Sequence, residues 1–202
     1  GGGVLNDAGG TLTVDGSTIS GNTANRAGGG IEDNSGAGLG IVLSNVNLDG
    51  NSAGVDIGAG ATPAPGNGGG LHISGTGDAT ITGGTVNGNV AAQEGGGLWN
   101  STGSLTVTDT TIDGNTAQSQ NAAGDQQGGG GIFNNGGTLG ATNVSISRNP
   151  ALDPVGSDTN DDRRGGILEN VGLVTVTTSR ISANLASHGP AHDRDILFMV
   201  DG

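Results

Sequence analysis

An Asn followed two residues later by an Ala occurs six times at long, regular intervals: Asn22/Ala24, Asn51/Ala53, Asn89/Ala91, Asn115/Ala117, Asn149/Ala151 and Asn184/Ala186. Three residues before each Asn stands an aliphatic residue: Ile19, Leu48, Val86, Ile112, Ile146 and Ile181. Each unit opens on a glycine cluster and one further aliphatic residue: Val4, Ile31, Leu71, Leu98, Ile132 and Ile167. From that residue to the Asn the distance is 17 to 20 residues throughout, so length varies almost entirely between Asn-x-Ala and the next glycine cluster. A period of this size is the mark of a solenoid, with insertions gathered on one side of the stack.

Inside each unit the pattern belongs to strands. Leu12 and Val14 alternate with Thr11, Thr13 and Asp15, and the alternation returns at Ile41/Leu43, Leu105/Val107 and Val174/Val176. Period two with β-branched residues indicates strands, and Gly, Asn, Asp and Ser supply the turns between them. No segment carries a 3.6-residue apolar stripe. The expectation is an all-β, right-handed parallel β-helix of about six coils, with three short strands per coil. It forms a single domain over residues 1–202, with 185–202 as a closing segment. The Asn residues are read as a ladder of stacked side-chain amides, or else as residues chosen for a left-handed turn.

Composition sets further bounds. Glycine reaches 45 of 202 residues without a strict period of three, which excludes collagen. Hydrophobic residues make up only 31%, too few for an ordinary globule, but stacked coils need less apolar area because each buries its neighbour. The net charge of −13 excludes a nucleic-acid partner, whose phosphates need basic groups, and leaves divalent cations open. There is no Cys, which suits a secreted bacterial surface protein, and no apolar run marks membrane insertion of this segment.

The stretch Gly129 to Ala151, GGGIFNNGGTLGATNVSISRNPA, resembles the repeats of secreted bacterial right-handed parallel β-helix proteins. It is also similar to the polymorphic outer-membrane protein repeats of chlamydial autotransporter passengers, which combine GGA-[ILV] with FxxN. The counterparts here are GGG-[VIL] and [ILV]xxN, as in Ile19-Ser20-Gly21-Asn22. The resemblance implies a surface-exposed or secreted solenoid, and the expectation for its role is a structural or adhesin-like, non-enzymatic protein of the bacterial cell surface.

Four surface features remain as candidate sites. The acidic stretch with Asp153, Asp158, Asp161 and Asp162 offers hard oxygen ligands for calcium, the one cofactor the sequence points to. Thr82, Thr108, Thr142 and Thr177, beside Thr13, Thr80, Thr106 and Thr175, form an outward array that would suit an ice- or water-ordering surface. In the row Ser20, Asp49, Asn87, Asp113, Ser147, Ser182, the two acids lie two coils and so roughly 10 Å apart. That spacing frames the enzymatic alternative, a β-helix lyase or glycosidase acting on polysaccharide. Finally, Gly1, Gly2, Gly3 and Val4 open directly inside a repeat, and Ile196, Leu197, Phe198, Met199 and Val200 form the most apolar run. The expectation is that these two segments meet end to end between copies, giving a surface fibre, or that the chain belongs to a larger parent protein.

Overall fold

The computed structural model describes residues 1–36, 38–55, 65–118, 128–152, 165–188 and 192–193. The expected calcium ligands and the run 196–200 lie outside the described residues. Within them the chain is all-β, built from parallel sheets, with no helix.

Each repeat pairs with the next one in the sequence. Val4–Asn6, Ile31–Asp33, Leu71–Ile73, Leu98–Asn100, Ile132–Thr142 and Ile167–Thr177 form one parallel series. Thr23–Ala24, Ser52–Ala53, Val90–Ala91, Thr116–Ala117, Pro150–Ala151 and Leu185–His188 form a second. Parallel neighbours offset by one repeat fit a β-solenoid. Among the described residues, one antiparallel pair occurs, His192–Asp193 against Leu185–His188.

Strand division gives the expected three segments in the second, third, fifth and sixth repeats and four in the first and fourth. The first repeat has four segments, Val4–Asn6, Leu12–Asp15, Thr18–Ser20 and Thr23–Ala24. In the next two the middle pair fuses into Gly38–Asp49 and Gly77–Asn87. The cause is a bend that pairing survives. One left-handed residue turns the strand at Gly16, Asn45, Asp109, Asn143 and Thr178, with φ of 54°, 52°, 52°, 55° and 47°.

Alternation sends four aliphatic columns inward. Ile31, Leu71, Leu98 and Ile132 stack in one, Ile41, Leu105 and Leu139 in another, Leu43, Ile81 and Val107 in a third, and Leu48, Val86, Ile112 and Ile146 in a fourth; all are buried. Each such side chain contributes about 1.5–3 kcal/mol of burial. The corner alanines Ala53, Ala91, Ala117 and Ala151 are fully buried.

Beside them runs the amide column. The side-chain Nδ2 of Asn22 donates to Asn51 Oδ1 at 2.9 Å, and the pattern continues from Asn51 to Asn89, Asn89 to Asn115, Asn115 to Asn149 and Asn149 to Asn184, at 2.9–3.0 Å. Each Oδ1 from Asn51 to Asn184 also accepts the backbone N–H of the Asn one repeat earlier, at 2.9–3.1 Å. The second proton on each Nδ2 goes to a carbonyl of the earlier repeat: Asn51 to Ile19, Asn89 to Leu48, Asn115 to Val86, Asn149 to Ile112 and Asn184 to Ile146. An interior amide thus fills all four of its hydrogen-bonding positions. The left-handed turn falls on the preceding residue instead, at Gly21, Gly50, Gly88, Gly114, Arg148 and Ala183, so a turn preference of Asn itself does not explain the repeat.

The same column dictates the last glycine of each cluster. A Cβ on Gly97 would stand 2.6 Å from Gly131 O and 3.1 Å from Asn115 Cγ, and Gly30, Gly70 and Gly131 meet equivalent neighbours.

Two outcomes follow for stability. Asn115→Ala strips donors and acceptors from Asn89, Asn149 and Val86 at a buried site and should cost about 2–4 kcal/mol in urea unfolding, against about 1 kcal/mol for Asn22→Ala at the column's end. Equal losses would contradict an integrated column. Thr178 is β-branched and left-handed, so Thr178→Asn, matching Asn143 one repeat earlier, should stabilise by about 1 kcal/mol; a lower melting temperature would show that its backbone is unstrained.

Candidate functional site

The residue after each opening aliphatic one alternates outward, yet it is buried from the second repeat on. Register places Leu5, Glu32, His72, Trp99, Phe133 and Leu168 in one column. Leu5 is 52% exposed, but the other five are at most 8% exposed. Described residues just ahead of the glycine clusters reach two of them: Arg26 bonds Glu32, and Glu94 bonds Trp99. Trp99, Phe133 and Leu168 form a small apolar cluster of their own. His72 lies flat on Trp99 with centroids 4.4 Å apart, and Phe133 lies parallel to the indole at 6.2 Å, so both faces of Trp99 are covered.

Two carboxylates border this stack. Glu32 accepts Arg26 Nε at 2.7 Å, forms an ion pair with the same guanidinium, and accepts the amino group of Gly1. Burial pushes Glu32 upward, but the amino group and Arg26 outweigh it and hold the carboxyl below its usual range. Glu94 has no cation beside it among the described residues. Its Oε2 accepts Trp99 Nε1 at 2.9 Å and Asn67 Nδ2 at 3.0 Å. Burial dominates over those two bonds and raises its pKa. Burial likewise drives His72 down to about 4, with Glu32 pulling it back and Arg26 and the amino group adding to the fall.

Among the described residues, Asn67 Oδ1, His72 Nδ1 and Gln93 Nε2 are buried here without a hydrogen-bond partner. Each such atom costs about 1–3 kcal/mol, so this corner is held at the expense of stability. A fourth unpaired atom, Asn100 Oδ1, belongs to a second amide column, in which Asn100 donates to Asn134 at 2.6 Å and Asn134 to Glu169 at 2.6 Å. That column is broken at Ile73, whose side chain cannot donate to Asn100.

The residues nominated from sequence fall elsewhere. Gly2, Gly3 and Val4 donate to Gly28, Gly29 and Gly30 and form the first parallel edge. Thr82, Thr108, Thr142 and Thr177 are in register, preceded in the row by Ser44 and Asp15. Asp49 and Asp113 share a row with Asn87 between them. Thr85 Oγ1 donates to Asp49 at 3.1 Å, and Ser147 Oγ to Asp113 at 2.7 Å. Slight burial raises Asp113, but Ser147 and the ion-paired Arg148 win and lower its pKa. Among the described residues, no three His, Cys, Asp or Glu side chains gather to hold a metal ion.

The Glu94 corner was not nominated from sequence. Aligning the repeats on the glycine cluster exposes the outward column at once, since its bulky residues include Trp99 and Phe133, two of the three aromatics. No family model matches the chain, and neither the curated proteins nor the solved structures yield a match to it.

The titrations give a signed expectation. Glu94 is raised in the fold, so its contribution is complete below the unfolded value of 4.5 and is lost as pH rises through the folded value. His72 is depressed, so its contribution is present above 6.5 and is lost as pH falls toward about 4. Glu94→Gln keeps an acceptor for Trp99 and Asn67 without the charge. Its melting temperature should exceed the parent's at pH 8, and the gain should vanish below pH 4.5. A variant less stable at pH 8 would show that the charge itself supports the fold.

Proposed function

We propose that the chain is a right-handed parallel β-helix of six coils that serves as a non-enzymatic structural or adhesive solenoid, secreted or displayed at a bacterial cell surface. The observation that carries this reading is the amide column, which runs unbroken from Asn22 to Asn184. A scaffold repeats one geometry along its axis, whereas a catalytic site singles out one position. Parallel connections within a sheet are almost always right-handed, which supports the handedness. The resemblance to secreted β-helix repeats and autotransporter passengers supports the location. Against the polysaccharide-active alternative, an acid catalyst needs a carboxyl held above its usual range, and Asp113 is held below it.

The reading includes a further coil against Val4–Asn6. Asn22 Oδ1 receives no donor among the described residues, and Val4, Leu12, Val14 and Ile19 are only partly buried. A coil of a larger parent chain, or of a second copy presenting residues 196–200, would meet both needs. Calcium at Asp153, Asp158, Asp161 and Asp162 belongs to the same proposal and rests on the sequence.

Small-angle scattering and electron microscopy should find a rod about 30 Å long per chain, six coils at strand spacing. If copies stack, growth should occur along the rod axis only and be lost on deleting residues 196–202. A length unchanged by EDTA removes calcium from the reading. Turnover of a uronic-acid polymer, lost in Asp49→Asn or Asp113→Asn, would overturn the non-enzymatic role.

A further inference from the structure

Glu94 is a carboxyl with one half in use. Trp99 and Asn67 both donate to Oε2, and Oε1 has no partner among the described residues. The residue is half-buried rather than closed off. The amide that pins it is itself incomplete: Asn67 is 6% exposed, and its Oδ1 accepts nothing. Among the described residues, one corner therefore holds a carboxylate oxygen and a buried amide oxygen that nothing meets, and no cation beside them.

The chain displays what completes a carboxylate on this face. Two repeats earlier, Glu32 is met by the guanidinium of Arg26, which also reaches Asn34 at 3.4 Å and Ser74 at 3.3 Å. Arg26 stands two residues before Gly28, and the residue two before Gly95 is Gln93, which carries no charge. We infer that the Glu94 corner binds a guanidinium group supplied from outside the chain, in the role that Arg26 fills for Glu32.

The chemistry selects among ligands. A net charge of −13 repels anions and gathers cations. A planar fork of N–H donors matches the geometry of a carboxylate, and guanidinium sheds its water more readily than ammonium. A sugar or base has no ring to stack on, because His72 and Phe133 cover both faces of Trp99. The source is either an arginine side chain of a partner protein or a free guanidinium compound. The inference stands apart from the rod reading: its failure leaves the solenoid intact, and a non-stacking monomer leaves this site intact.

The test uses Trp99, the one Trp in a chain without Tyr, whose Nε1 donates to Glu94. Ethylguanidinium, its neutral analogue ethylurea and a Gly-Arg-Gly peptide are titrated into the full chain at pH 8 while Trp99 fluorescence is followed. Ethylguanidinium and the peptide should give saturable shifts, with ethylurea at least tenfold weaker. Glu94→Gln, verified as folded by its circular dichroism and melting temperature, should lose at least tenfold in affinity. A peptide tenfold tighter than ethylguanidinium assigns the site to a protein partner, and equal affinities assign it to a small molecule. No saturable shift, equal binding of ethylurea, or unchanged binding to folded Glu94→Gln would overturn the site.

Discussion

A buried carboxamide that satisfies itself only through its own equivalents in adjacent repeats is the constraint on which this structure rests. Asn89, fully buried, accepts from the backbone and side chain of Asn51 and donates to Asn115 Oδ1 and the Leu48 carbonyl. No water competes there, so a slip of one residue would leave several polar groups unpaired at about 1–3 kcal/mol each. The column therefore fixes register, and register brings Leu48, Val86, Ile112 and Ile146 onto one another. The glycine clusters answer the same demand, since Gly70 and Gly97 face both a neighbouring carbonyl and a column amide. Apolar stacking supplies most of the stabilisation, and the amides decide which stacking occurs.

Much of this was legible in the residues. Asn, Ala and the aliphatic residue three positions before Asn keep constant spacing because coil geometry, not local propensity, sets where each must stand. The Thr rows were legible for the same reason. The reason for Asn at its position was only half legible: sequence offers both an amide ladder and a left-handed turn, and the turn belongs to its predecessor. The bend at Asn45 or Thr178 was hidden because the short runs on either side, such as Ile41/Leu43 and Val46/Leu48, each keep their own alternation although the parity shifts between them.

The Glu94 corner escaped for a different reason. Strand alternation assigns His72, Trp99 and Phe133 to the outside, and outside normally means solvent. Their burial has no counterpart in the periodic signal, and the connections between repeats vary in length. Glu94 itself sits in such a connection and accepts from Trp99 five residues later. Groups that pay for the fold repeat along the axis, while Glu94, Asn67 and Gln93 occur once and weaken it. That contrast separates scaffold from candidate site in a molecule whose surface is otherwise a set of rows.

Hydrogen exchange of the asparagine side-chain amides, followed by nitrogen-15 NMR, tests the central claim most directly. The account predicts that the Nδ2 protons of Asn51, Asn89, Asn115 and Asn149 exchange orders of magnitude more slowly than those of the exposed Asn87, and that they open together with the strand amides. Exchange of these side chains at the rate of Asn87 would contradict it, because a solvated amide cannot hold the coils in register.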